Sequence, residues 1–179
     1  MKETTETNPK NPGKNLSNLV NLALTIGAAD AKLIQAKDVV VQDWVRLKCQ
    51  YGCGGYGKSL TCPPYSPSPE QTRRILTSYS TAILMRLPDE SIASHDLTAK
   101  LERSLFLAGY YSAFGLTAGP CQRCKKCNLK HCVHPRLARP SMEACGIDVY
   151  ATARKNGFCI EVRKTTEDKP TYFGLVLVE

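Results

Sequence analysis

Nowhere does this 179-residue sequence approach the roughly 18 consecutive apolar residues of a membrane-spanning helix; its longest candidates are short runs such as Leu175 to Val178. Membrane insertion is therefore excluded. The first residues, Met-Lys-Glu-Thr-Thr-Glu-Thr-Asn-Pro-Lys, have no apolar run of the kind a secretory signal needs, so a cytoplasmic location is expected. No internal repeat of 20 to 50 residues is visible, which argues against a solenoid or propeller. An even cysteine count is also missing: there are nine, which cannot all pair. With 42% apolar residues the chain can bury a core without disulfide staples. In a reducing compartment so many thiols point to metal, redox chemistry or catalysis.

The second absence is acidic. No Asp or Glu occurs between Glu102 and Glu143, whereas Arg103, Arg123, Lys125, Lys126, Lys130, Arg136 and Arg139 do, together with four of the nine cysteines. The net charge of +8 is therefore concentrated. A basic stretch reads as a solvated face or a surface for an acidic partner. Part of it can also compensate a bound anionic cofactor, since ligating thiols are deprotonated.

The organisation is that of a polar tail, residues 1 to 15, expected to be disordered, followed by a single metal-binding α+β domain over 16 to 179. Leu16, Leu19, Leu22, Ala23 and Ile26 fall at helical spacing before Gly27. Ala31 to Ile34 and Val39 to Leu47 carry strand signals, the latter leading into Cys49. Ser68-Pro69-Glu70-Gln71 predicts a capped helix start. Ala82 to Leu87 predicts a buried strand, Leu97 to Ala108 a helix, Asp148 to Asn156 a second capped helix, and Phe158 to Arg163 and Tyr172 to Val178 two strands. The two cysteine-rich loops are expected at the ends of the sheet.

Gly52-Cys53-Gly54-Gly55-Tyr56-Gly57-Lys58-Ser59 matches the phosphate-loop pattern letter for letter, and a strand is expected before it. A phosphate loop works only if a helix starts at its Lys and Ser. Pro63 and Pro64 follow too soon for one, and no apolar strand ending in Asp offers magnesium a ligand. Nucleotide binding is disfavoured. The glycines suit a loop whose backbone passes close to sulfur.

Cys121-x2-Cys124-x2-Cys127-x4-Cys132 is the strongest signal in the chain. Three cysteines at three-residue steps let one loop reach three corners of an iron–sulfur cubane, whereas a zinc ribbon normally closes with a distant second pair. Iron–sulfur is favoured over zinc here. His131 and His134 flank the run and read as surface or supporting groups rather than ligands. The first group is Cys49-x3-Cys53-x8-Cys62-Pro63-Pro64, and it leaves a vacancy open to Cys132, Cys145 or a non-protein ligand. Cys159, within an expected strand, reads as a small core residue.

The stretches Val45-Arg46-Leu47-Lys48-Cys49, Tyr56 to Pro64, Ala118-Gly119-Pro120-Cys121 and Arg139 to Val149 together resemble the predicted metal-binding proteins grouped as domain of unknown function 2284, found in anaerobic bacteria and methane-producing archaea. The resemblance covers about residues 30 to 179. It implies metal binding, as iron–sulfur, through Cys49, Cys53, Cys62, Cys121, Cys124, Cys127 and Cys132, and it supplies no reaction.

Three functions follow as expectations. The first is a protein with one or two [4Fe–4S] clusters that exchanges electrons with an acidic redox partner, the basic loop recruiting that partner. The second is an enzyme whose three-cysteine cluster has an open iron and acts on a small anion held by Arg136 or Arg139. The third is a zinc-stabilised module, including one that binds nucleic acid through Lys125, Lys126, Lys130 and Arg136; Tyr110 and Tyr111 nearby are expected in the core instead. Nucleic acid is disfavoured as a partner. No other acid–base constellation stands out, Glu143 and Asp148 having ordinary helix-start explanations, so the catalytic residues stay unknown.

Overall fold

The computed structural model describes the chain from residue 17 onward, except residue 90. The tail expected over 1 to 15, and Leu16, lie outside the described residues. Helix α1 (Ser17–Ile26) buries Leu19 and Ala23 at i and i+4, and Gly27, at φ 122°, ends it. Strand β1 (Asp30–Gln35) follows, then one turn of 3-10 helix and helix α2 (Asp43–Gly52).

Helix α2 corrects the strand expected over 39 to 47. Val41 does make an isolated bridge to Ile147, but from Asp43 the sheltered positions are Val45, Arg46 and Cys49, a 3.6-residue period rather than alternation. Helix α3 (Pro69–Leu76) has the expected start: the Ser68 hydroxyl accepts from the Gln71 N–H at 3.2 Å, and the Gln71 side-chain oxygen accepts from the Ser68 N–H at 2.8 Å. Then come β2 (Thr81–Leu87), α4 (Ile92–Leu107) and the short β3 (Phe114–Leu116). A 3-10 turn at Glu143–Cys145 precedes α5 (Val149–Lys155), whose first turn donates the Ala151 N–H to Asp148 at 2.9 Å, and β4 (Tyr172–Leu177) closes the chain.

The four strands form one antiparallel sheet in the order β1-β2-β4-β3. Alternation along β2 and β4 divides the core. Ala82, Leu84, Phe173, Leu175 and Leu177 pack with Met142, Cys145, Ile147, Phe158 and Ile160 on one face. Ile83, Met85 and Val176 pack with Leu19, Ala23, Leu97, Leu101 and Leu105 on the other, beneath α1 and α4. Because both faces are covered, Ala82 to Met85 read as a continuous apolar run. The described residues thus form a single small α+β domain of five α-helices and one four-stranded sheet.

Residues 158 to 163, expected as a strand, are irregular. Phe158 and Ile160 are buried and Cys159 and Glu161 exposed, so the alternation is real, but among the described residues no neighbouring strand supplies a ladder. Cys159 is accordingly exposed rather than in the core. Tyr110 is buried as expected, while Tyr111 is 82% exposed. Among the described residues no helix is long and apolar enough to cross a membrane.

Two loops leave this frame beside one another. The first, after α2, folds back on itself through a Gly57 N–H to Pro63 carbonyl bond of 2.7 Å. The second leaves β3 and returns to its start: Thr117 donates to the Pro140 carbonyl and Met142 to the Thr117 carbonyl, both at 2.9 Å.

Candidate metal centre

Helix α2 sets the first thiol group. Cys49 lies on its last turn, Cys53 follows its end, and Cys62 returns from the loop. A Cβ on Gly55 would lie 3.3 Å from the Cys62 sulfur and 3.6 Å from that of Cys53. Glycine thus eases the passage of backbone between two sulfurs, and its N–H donates to Cys53 Sγ at 3.4 Å. The Cys49 thiol donates to the Glu143 carbonyl at 3.8 Å. All three cysteines border a cavity of about 610 Å³.

The same loop settles the structural part of the phosphate-loop match. Gly52 ends a helix rather than following a strand, residues 54 to 58 form turns, and the next helix is α3 at Pro69. The N–H array that a phosphate loop owes to a helix starting at its Lys is not built here.

Cys121, Cys124, Cys127 and Cys132, all half-buried, border a second, tight cavity of about 30 Å³. Ser59, Leu60 and Thr61 of the first loop form part of its wall, and so do His131 and His134, which are exposed. Cys62, next in the chain, faces the first cavity. One short segment therefore separates the two thiol groups.

The acid-free stretch obtains its acids from α4. Arg123, 8% exposed at its side chain, pairs with Asp96. Arg139 grips Glu102 through Nε and Nη2, each at 2.5 Å, and donates Nη1 to the carbonyls of Pro135 and Ala138. Glu102 also accepts the Gly115 N–H at 2.8 Å, tying the loop to β3. Four of the five N–H groups of Arg139 are thereby engaged, and it borders neither cavity. Arg136 is exposed and also borders neither. The structure does not bring these two arginines, expected to hold a small anion, to the thiols.

Cys145 is 2% exposed in the core and borders neither cavity. Its thiol is pushed up to about 12 by burial, with the Arg46 guanidinium opposing. Burial raises Cys49 to about 11, and neighbouring Cys53 and Glu143 add to the rise. Cys62 and Cys121 are also raised by burial; hydroxyls of Thr61 and Ser59 oppose it at Cys62, and the backbone and guanidinium of Arg123 at Cys121.

Sequence reasoning missed Arg46 as a structural tie. It donates to the carbonyls of Ala144 (2.6 Å) and Pro67 (3.2 Å) and to the Ser66 hydroxyl (3.2 Å), joining α2, the first loop and the Glu143–Cys145 turn. A lone arginine among 24 cationic residues carries no signal of that role. The cavity walls Trp44, Tyr150 and Val162 were equally silent, because they meet only in three dimensions.

A family model described as predicted metal-binding protein (DUF2284) matches residues 32–178. The chain belongs to that family. No curated protein matches it, and no solved structure does. The match spans both thiol groups of this DUF2284 protein, both cavities and the two acids of α4. Its donors fit a thiophilic metal: soft sulfur ligands concentrate in two loops, with glycine clearing the approach to Cys53 and Cys62. The raised thiol values of Cys49 and Cys62 fit as well, since a bound cation replaces the proton that burial otherwise retains. Among the described residues, no three His, Cys, Asp or Glu side chains already converge as a single-ion site. In this DUF2284 chain the thiols border cavities rather than one point.

Proposed function

We propose that this DUF2284 protein carries one or two [4Fe–4S] clusters and exchanges electrons with an acidic partner. The observation that carries the proposal is the pairing of two cysteine groups across one loop, where residues 59 to 61 border one thiol cavity and Cys62 the other. The Cys121-x2-Cys124-x2-Cys127 run suits a cubane, and Cys49, Cys53 and Cys62 supply a second thiol face. Bound there, a cluster supplies one-electron chemistry. The chain's own part is to hold it with thiolates, exclude water with the walls of each cavity, and surround the second group with cations. Anaerobic reconstitution followed by iron and sulfide analysis and electron paramagnetic resonance tests the proposal. The expected result is four or eight irons per chain with matching sulfide; folded protein holding zinc alone, or no metal, refutes it.

A second reading, an open-site cluster that acts on a bound molecule, is favoured by one observation. The first group brings only three thiols to a cavity far larger than the one behind the second group. Replacing Cys132 and Cys145 in turn separates the readings: cluster content unchanged in both variants indicates an iron without a fourth cysteine.

A further inference from the structure

The 610 Å³ cavity lies within the size range of small-ligand sites, and only one of its sides is thiol. Metal–sulfur bonds of about 2.3 Å keep whatever the thiols hold against that side. The rest of the wall comes from three separate segments, the first of them the helix that also carries Cys49. Trp44, Val45 and Lys48 share one face of α2, Val149, Tyr150 and Arg154 belong to α5, and Val162 comes from the stretch beyond it. Arg154 fixes this wall by donating Nε and Nη2 to the Ile160 carbonyl, at 3.2 and 3.0 Å, while its guanidinium lies 5.6 Å from the centre of the Tyr150 ring.

Large apolar groups are left at the rim, with Trp44 48% and Val162 61% exposed. Rings at three points of the wall, Trp44, Tyr56 and Tyr150, favour a flat partner, since aromatic faces and edges stack on one another. Four charged side chains border the cavity: Lys48, Arg154, Glu143 and Asp148. Asp148 caps α5 and Arg154 is bound to the Ile160 carbonyl. The exposed Lys48 makes no ion pair with the described residues, and its ammonium suits one anionic group at the entrance.

From these walls we infer that the cavity is a binding site for a flat, mainly apolar organic molecule with a single anionic group, held between Trp44 and Tyr150 with its charge toward Lys48. The walls are the chain's own, so the site goes beyond electron transfer and stands whether or not iron is bound. Trp44 is the chain's one tryptophan, so its fluorescence reports occupancy directly. Full-length protein, with its metal content measured in the same sample, is titrated with 1-naphthoate and with neutral 1-naphthamide. The expected result is a saturable change in Trp44 emission, with naphthoate bound at least tenfold more tightly than the amide. Lys48→Met removes that preference, and Val162→Asp at the exposed rim weakens both probes at least tenfold. Circular dichroism of the two variants verifies that each folds. No saturable change, or binding that survives Val162→Asp, overturns the inference, as does naphthoate bound no better than the amide. Absence of iron in the same sample bears on the cluster proposal alone.

Discussion

Access to a cavity, rather than burial, separates the thiols. Cys62 and Cys145 are both buried, at 6% and 2% exposure, but Cys62 faces the first cavity and Cys145 faces Met142 and Ile147 in the core. Cys62→Ala is expected to lower iron content, and Cys145→Ala to leave it unchanged while destabilising the fold by about 1 to 2 kcal/mol. Metal analysis and urea denaturation check both. Burial also sets a pH dependence. A native thiol at about 12, against the ordinary 9, keeps its proton where the unfolded chain has lost it, so Cys145 stabilises the fold fully below pH 9 and loses that contribution between 9 and 12. The metal-free protein should thus weaken as pH rises from 8.5 to 11, and Cys145→Ala should flatten that decline. Arg123 supports a prediction of its own. Its buried guanidinium borders the second cavity, Asp96 holds one end, and its Nε has no hydrogen-bond partner among the described residues. A cation there favours the more negative, reduced form of any bound cluster. Arg123→Met should lower the midpoint potential and Asp96→Asn should raise it. Two variants that merely loosen the loop would shift it in the same direction, so potentiometry distinguishes tuning from support.

At the level of elements, α3 and the Glu143–Cys145 turn are locked together by a glycine. Gly146 sits at φ 79°, and a Cβ there would meet Pro69 Cγ at 2.7 Å, inside the first turn of α3. Gly146→Ala is expected to cost about 2 kcal/mol or more, from left-handed backbone strain together with the clash, and to move the wall that Ala144 and Ile147 give the first cavity. Thermal unfolding of the metal-free protein measures that cost. The same elements show what a sequence can and cannot reveal. The capping box at Ser68 and the Asp148 cap were legible because they are local chemistry. The buried run Ala82 to Leu87 was legible from its composition. Val39-Val40-Val41 carried a β-branched signal past its end, and the 3.6-residue period that begins at Asp43 was lost beneath it. Phe158 and Ile160 alternate as strand residues do, yet a strand also needs a partner, and β2 and β3 already flank β4. The three residues of β3 were too few to register as a strand. Cysteine spacing marked both thiol groups, whereas the cavity beside the first is assembled from α2, α5 and residue 162, which only folding brings together.

For the whole molecule, the ion pairs change where the +8 charge acts. Arg123 and Arg139 are neutralised by Asp96 and Glu102 on α4, so they hold the second loop in place rather than face a partner. Lys125, Lys126, Lys130 and Arg136 remain exposed on that loop, whose cysteines border the tight thiol cavity. On the proposed function, electrons leaving through the second thiol group would cross a cationic surface, which attracts anionic oxidants and repels cationic ones. Reduced, reconstituted protein should be oxidised rapidly by ferricyanide, with a rate that falls as salt shortens the Debye length to about 10 Å at 0.1 M. Hexaammineruthenium(III) should show the opposite salt dependence. Reversing three charges, with Lys125→Glu, Lys126→Glu and Lys130→Glu combined, should slow ferricyanide severalfold and accelerate the ruthenium complex. Stopped-flow kinetics with both oxidants makes the comparison through the ratio of the two rates, because a change in midpoint potential caused by the charge reversal moves both rates in the same direction. Equal changes with the two oxidants would mean that electrons exit elsewhere, with the first cavity and its apolar rim the alternative face.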